Sequence, residues 1–457
     1  MKKQKTGTPR KTLSWMTGFL FVLILISCSP EIKTDYQEFY DKSYGKVLFI
    51  INGNAETLSA YRPEDMKVYR DLQTVGHNGS SEAWPSDLLS IGNDLFTVCS
   101  GQNVIEKYDS RTLDYLGNLY LKNGFNPLLL APLGSGDHAA VTGFATDEIV
   151  IVNLNELSMT SGFLKVYSES SGTITDTNAT GDNYQRSPTG IAATDNTLYV
   201  SNVRYDASIL LTDVNGETIP FGDAFARAAG NFREGTLSVF TLNSGKTSAS
   251  LVREINLDKL LGDLPGESPY YPGNGLNPQS LFLLEGKLHI VCTGTNGGEA
   301  RKYTSSEYIP PGSTTNTIVP GTDPDDGVIL VMNLNDSENP TLEKVVSIGG
   351  SPSGYRFSMD TDRKILYMAG VGGIQSYDYE GEAVLRASSN PILAGSDPSS
   401  DYYSHLLYKD DMLYISNYSG NKLNRIQVIG SGKTPEYTRL EDLVIGDGPG
   451  AMAFYIR

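Results

Sequence analysis

Cysteine, histidine and tryptophan are scarce in this chain: three, four and two among 457 residues. Each scarcity excludes something. His77, His138, His289 and His405 make no HExxH and no close pair, so that zinc-hydrolase signature is missing. No CxxC or CxxCH occurs, which argues against a thiolate zinc site and an attached c-type haem. No GxSxG marks a nucleophile elbow. Positive charge is also short, with 36 Lys and Arg against 53 Asp and Glu, a formal −17. Without a basic stripe, the chain is poorly suited to nucleic acid, or to anionic lipid through charge. No apolar run reaches the roughly 20 residues of a membrane-spanning helix.

Two motif fragments fall short of function. GSGKT at 430–434 resembles the end of a phosphate-binding loop, but the first glycine it needs would stand at Gln427. The segment fits a turn between two strands. Asp323, Asp325 and Asp326 could attract calcium, yet EF-hand spacing and a closing glutamate are missing. A solvated acidic turn is the favoured reading.

The N-terminus is organised in zones. Lys2, Lys3, Lys5, Arg10 and Lys11 precede a short apolar run at 15–26, broken by Thr17 and Gly18. That length suits a signal-peptide core. Leu25, Ile26, Ser27 and Cys28 follow, and resemble the lipobox of bacterial lipoproteins. The resemblance implies cleavage before Cys28 and several acyl chains on it, enough for stable anchoring. Ser29 is not acidic, which in families with an outer membrane points to delivery there. Residues 1–27 then form the signal peptide, 28–45 the lipidated cysteine and a tether, and 46–457 the folded body. Losing the leader moves the formal charge to about −22. The tether reaches at most about 60 Å when extended.

The body is repetitive. A short apolar strand, a small or Asn-rich turn and a second apolar strand recur seven times. The paired runs are 48–53 with 57–61, 95–99 with 104–109, and 139–143 with 149–153. They continue as 198–202 with 236–240, 288–292 with 328–333, 366–370 with 374–378, and 413–417 with 423–427. Pro85, Pro188 and Pro278 each stand ten residues before the matching leucine, with Pro127 and Pro352 slightly further out. Proline lacks an N–H and fits the start of a strand, not its middle. These runs, with little helical periodicity, predict an all-β fold: a seven-bladed β-propeller of four-stranded antiparallel blades. The segment 444–454 opens like another blade and then stops, while the first unit lacks an opening strand. The C-terminal strand is therefore expected to join the N-terminal blade and close the ring.

The junctions at 346–354 and 444–450 resemble those of YVTN-type propellers, relatives of bacterial surface-protein and lactonase-like propellers. The resemblance covers nearly all of 46–457 and implies fold more than function. It places Cys99 and Cys292 in non-adjacent blades, as small buried strand residues without a disulfide. It also places the d–a and b–c loops on one face, around the channel mouth. The two insertions, 204–234 and 298–326, fall in b–c turns of blades four and five. Residues 223–229 could form one short capped helix, and the second insertion reads as a loop.

Candidate ligand-binding residues on that face are Trp84, Asn126, Arg186, Asn277, Gln279, Arg356 and His405. The b–c turns add Asn202, Arg204, Asn296 and Asn417. These side chains suit a polar or glycan ligand, or an acidic peptide. Singly, each is better read as a turn cap or a local ion pair; the set is the candidate. The leading expectation is a monomeric, membrane-anchored envelope lipoprotein without cofactor, more a binding or scaffold module than an enzyme. Its partner would be an envelope protein or a small polar or glycan ligand. The alternative is a lactonase-like or related metal-dependent hydrolase with its site at the channel mouth. A quinoprotein-like redox propeller is weaker, since its cofactor would stack on tryptophan and Trp15 lies in the leader.

Overall fold

The seven pairs of apolar runs become the second and third strands of seven antiparallel sheets. The computed structural model describes Phe39 and residues 45–77, 82–144, 146–168, 186–203, 235–257, 260, 276–293, 327–348, 357–370, 373–387, 389–395 and 402–456. The chain divides into two compact units, Met1–Ser43 and Tyr44–Arg457. Phe39 is the one described residue of the first unit, and all seven sheets belong to the second. The leader, Cys28, nearly all of the tether, and both insertions lie outside the described residues.

The sheets are the blades of a β-propeller, and we label their strands a to d from the channel outward. Blade 2 is Pro85–Ile91, Asp94–Cys99, Val104–Asp109 and Tyr115–Tyr120. Blade 4 is Pro188–Ala193, Thr197–Asn202, Thr236–Leu242 and Ala249–Asn256. Blade 5 is Pro278–Leu284, Lys287–Cys292, Val328–Asn333 and Thr341–Ser347. Blade 3 starts at Pro127–Leu133, blade 6 at Ser358–Asp360 and blade 7 at Tyr403–Lys409. In these three the outermost position is split into two short segments. Blade 1 is composite. Its strands b to d are Lys46–Asn52, Thr57–Arg62 and Lys67–Thr74, and strand a is Pro449–Ile456 from the other end of the chain. The expected closure is thus present, with Leu48 opposite Phe454 and Ile50 opposite Met452.

Burial follows position in the blade. Strand b of blade 4, Thr197–Asn202, is buried at every residue, whereas no residue of Tyr115–Tyr120, strand d of blade 2, is buried. Both faces of strands b and c are covered by neighbouring blades, so their sequences run continuously apolar instead of alternating. The core is a set of clusters between blades. Phe96, Leu130 and Val150 belong to the one joining blades 2 and 3, and Leu48, Tyr414 and Met452 to the one joining blades 7 and 1.

Four prolines occupy the first residue of strand a: Pro85, Pro127, Pro188 and Pro278, with Pro449 at the closing strand. Strand a has an unpaired inner edge, where a missing N–H costs nothing. Hydroxyls fasten these starts together around the channel. Ser86 donates to the Pro127 carbonyl at 3.1 Å, Thr189 to Pro278 at 2.8 Å, and Ser404 to Pro449 at 2.8 Å. Each bond runs from one blade to the next and satisfies a carbonyl that no strand can reach. Deeper in the channel, the first strands of blades 3 to 6 border an apolar cavity of about 170 Å³, lined by Leu129, Ile191, Leu281, Phe282 and Met359.

Cys99 and Cys292 form no disulfide and are fully buried, in blades 2 and 5. Burial, and then the neighbouring Glu106 carboxylate, push the Cys99 thiol well above its ordinary value, so it is inert. The GSGKT segment at 430–434 joins strand c (Lys422–Ile429) of blade 7 to Glu436–Arg439, and Lys433 reaches Asp378 of blade 6 at 2.6 Å.

His289 is 1% exposed between blades 5 and 6 and stacks on Phe282 with ring centroids 4.8 Å apart. Burial holds the imidazole neutral and lowers its pKa from 6.5 to about 4. The unfolded chain therefore binds the extra proton first as pH falls. The contribution of this site is complete above about pH 6.5 and is lost between there and pH 4, about 3 kcal/mol in all. His289→Phe should flatten that part of the profile. Urea midpoints of both proteins at pH 7 and pH 4.5 check this; equal acid losses would contradict it.

Candidate functional site

The channel mouth is built from two equivalent positions in each blade. One is the residue just before strand a, the other the residue just after strand b. A backbone hydrogen bond joins them in six blades. Gly53 donates to Gly448, Ser100 to Trp84, Phe144 to Asn126, Val203 to Ser187, Thr293 to Asn277 and Tyr418 to Tyr402, at 2.6 to 3.2 Å. In blade 6 the residue after strand b, Val371, lies outside the described residues.

A second layer ties four of the mouth loops down. The residue before strand c offers its side chain to the backbone that leads into the next blade. Glu56 accepts from Ala83 and Trp84, Asn103 from Asn126, Asp147 from Arg186 and Asn421 from Gly448, at 2.5 to 3.2 Å. In blades 4 and 5 the same position is Gly235 and Gly327, which have no side chain to give. Those are the two blades whose b–c turns carry the long insertions.

These bonds force an unusual backbone at the position before strand a. Trp84, Asn126, Ser187, Asn277 and Gly448 have φ of +45°, +48°, +49°, +51° and +68°. Glycine adopts this region freely and asparagine tolerates it. A large aromatic residue there is strained by about 1–2 kcal/mol. Trp84 is the exception to local preference, and it is also 60% exposed. Its Nε1 donates to Glu82 at 2.6 Å, which fixes the indole ring in place.

The sequence-derived candidates separate into groups. Trp84, Asn126 and Asn277 stand on the mouth. Asn277 donates to Thr293 at 2.7 Å and accepts from Gln279 at 2.6 Å, so these three polar residues bond to one another. Arg186 is 5% exposed and its guanidinium is held by Glu254 at 3.0 Å and stacks over Tyr167. Asn202 is fully buried and donates to Thr236 and Ser238. Asn417 is buried and accepts from Gly420 at 2.9 Å. His405 is a buried residue of strand a in blade 7, opposite Ser416. Arg204, Asn296 and Arg356 lie outside the described residues.

The mouth also holds residues that sequence reasoning missed. Tyr402 is 40% exposed and meets Tyr418 edge-on, ring centroids 6.2 Å apart. The Tyr418 hydroxyl donates to the Asn54 side chain, and Asn54 Nδ2 donates to Asp447 Oδ1 at 3.2 Å. Burial, and then the Asp447 charge, raise the Tyr418 pKa, so this phenol stays protonated. Asn54 and Glu56 share one turn, and Glu56 holds the Trp84 amide. Tyr402, Tyr418, Asn54 and Trp84 are thus linked along one arc of the mouth, across blades 7, 1 and 2.

No protein-family model matches this chain, and no curated protein matches it in sequence. Solved structures do resemble it in fold. A proposed 6-phosphogluconolactonase of Bacteroides uniformis superposes with a TM-score of 0.55 at 9% identity, covering 90% of this chain and 100% of its own. A second, from Bacteroides fragilis, gives 0.53 at 10% identity over 90% and 98%. A protein of unknown function from Desulfotomaculum acetoxidans gives 0.51 at 8% identity over 90% and 99%. At such identities the likeness concerns the fold alone.

Proposed function

We propose that this chain is an envelope lipoprotein, anchored through Cys28, whose propeller binds a ligand at the channel mouth. The observation that carries the reading is Trp84. It sits in a backbone conformation that its relatives around the ring fill with Gly, Asn or Ser. It is pinned through its amide, its carbonyl and its indole N–H, yet most of its surface faces solvent. Strain held at an exposed, immobilised aromatic is the mark of a contact residue. The anchor, the outer-membrane destination and the monomeric state rest on the leader and on the closed ring.

Trp84→Gly separates stability from function. Glycine relieves the strained φ, so the melting free energy should stay within about 1 kcal/mol of the parent. Binding should fall about tenfold or more. The check exposes the chain after Cys28 and its Trp84→Gly variant, both immobilised, to fractionated envelope extract. A component retained by the parent and lost by the variant is expected; identical retention would remove the mouth from the reading.

A second reading comes from the fold shared with the two proposed lactonases: a hydrolase at the same mouth. Among the described residues no three His, Cys, Asp or Glu side chains converge as a metal site. A divalent ion would therefore need amide or backbone oxygens, or ligands from residues outside those described. Metal content of the purified chain, with lactone hydrolysis as readout, decides between the two.

A further inference from the structure

We infer that the arc formed by blades 7, 1 and 2 binds a neutral saccharide, stacked on Trp84 and Tyr402 across a saddle at blade 1. The inference rests on the mouth-binding reading and names its ligand class. Its first ground is shape. Blade 1 has glycine at both mouth positions, Gly53 and Gly448. At these two positions blade 1 therefore puts no side chain between the Tyr402–Tyr418 pair and Trp84. Packing keeps larger residues out of both positions. A Cβ on Gly448 would come 2.9 Å from the Asn54 side chain, and one on Gly53 would come 3.2 Å from the Tyr418 ring.

The second ground is chemistry. Pyranose rings present apolar C–H faces, which aromatic rings cover, and equatorial hydroxyls, which need acceptors at the ring edge. The arc supplies both. Trp84 and Tyr402 are 60% and 40% exposed; the Trp84 indole bonds to Glu82, and the Tyr402 ring lies edge-on to Tyr418. Between them stand Asn54, Asp447 and Glu82, all exposed. Asp447 uses Oδ1 on Asn54, and Glu82 uses Oε2 on the Trp84 indole. In each carboxylate the second oxygen remains to take a hydroxyl. The third ground is charge. Two carboxylates flank the saddle, so uronic acids and phosphorylated sugars are repelled, as is an acidic peptide.

Trp84 is the one tryptophan left once the leader is removed, so its emission reports on the saddle directly. The probes are cellohexaose, maltohexaose and mannohexaose, with hexagalacturonate as the acidic counterpart. The protein is the whole chain after Cys28. At least one neutral hexaose should shift the Trp84 emission and bind with Kd on the order of 10–100 µM. By calorimetry, Tyr402→Ala should weaken it about tenfold, and Tyr402→Phe should leave it within about threefold, because the stacking face survives. Hexagalacturonate should not bind. If no neutral hexaose binds while Trp84→Gly still loses an envelope component, the saccharide class is wrong and the mouth reading stands. If a hexaose binds equally to the parent, Trp84→Gly and Tyr402→Ala, the site lies elsewhere and both fall. Hexagalacturonate binding as tightly as the neutral sugars would overturn the charge argument, and with it the ligand class.

Discussion

A chain ending at Ile445 should show no cooperative unfolding transition. The residues removed include the whole of strand a in blade 1, Pro449–Ile456. Its ladder to Lys46–Asn52 runs from Lys46 opposite Ile456 to Asn52 opposite Pro449. Met452 and Tyr455 are 2% exposed, and Ala451 and Ala453 below 9%. Each large side chain of this kind contributes roughly 1.5–3 kcal/mol by burial. Their loss also uncovers Leu48, Ile50 and Tyr414, which pack against Met452 in one cluster. The stitch from Ser404 to Pro449 goes as well. The total is on the order of 10 kcal/mol, comparable to the whole stability of an ordinary domain. Circular dichroism melts of the two chains test it. A truncated protein that melts with the parent would show that blade 1 does not depend on its borrowed strand.

The second large effect lies in blade 4. Arg186 and Glu254 form an ion pair at 3.0 Å, with their side chains 6% and 4% exposed. A buried pair of this kind adds little net stability, because desolvation offsets the attraction. Breaking it is another matter. Arg186→Met leaves a carboxylate out of water with no partner, and should cost about 3–5 kcal/mol. The double variant, Arg186→Met with Glu254→Leu, should recover most of that loss. With the Glu254→Leu single variant completing the cycle, urea denaturation of the four proteins gives the coupling energy. A single variant within about 1 kcal/mol of the parent would mean the charge finds water or another cation.

The architecture was legible because blades repeat. Buried on both faces, strands b and c announce themselves as apolar runs, and proline marks the start of strand a wherever it occurs. The closing strand was visible as an eighth beginning with no continuation. The clamps were not. Glu56, Asn103, Asp147 and Asn421 each hold the loop to the following blade, but the intervening loops differ in length, so no fixed interval links clamp to partner. An acid or amide one residue before strand c in four units was the signal available. Tyr402 escaped for a related reason: blade 7 begins with Tyr403 where five of the other blades have proline, and one more tyrosine among 27 does not stand out. Asn202, Asn417 and Arg186 were selected by residue type on the mouth face. The fold employs them inside the blades, where a buried amide or guanidinium needs a partner more than a ligand does. Trp84 was selected for the same chemical reason, but its meaning came from a dihedral angle that no sequence spells out.

The composite blade also has a consequence in time. A polypeptide is made from its N-terminus, so Lys46–Asn52 is available early, while its inner partner, Pro449–Ile456, appears only after the strands of the other six blades. Until then one sheet edge is bare and the ring is a horseshoe. Any state of the molecule that is still being synthesised is therefore topologically open. The circle is completed only by a chain that has reached Ile456, and until then the inner edge of Lys46–Asn52 stays bare.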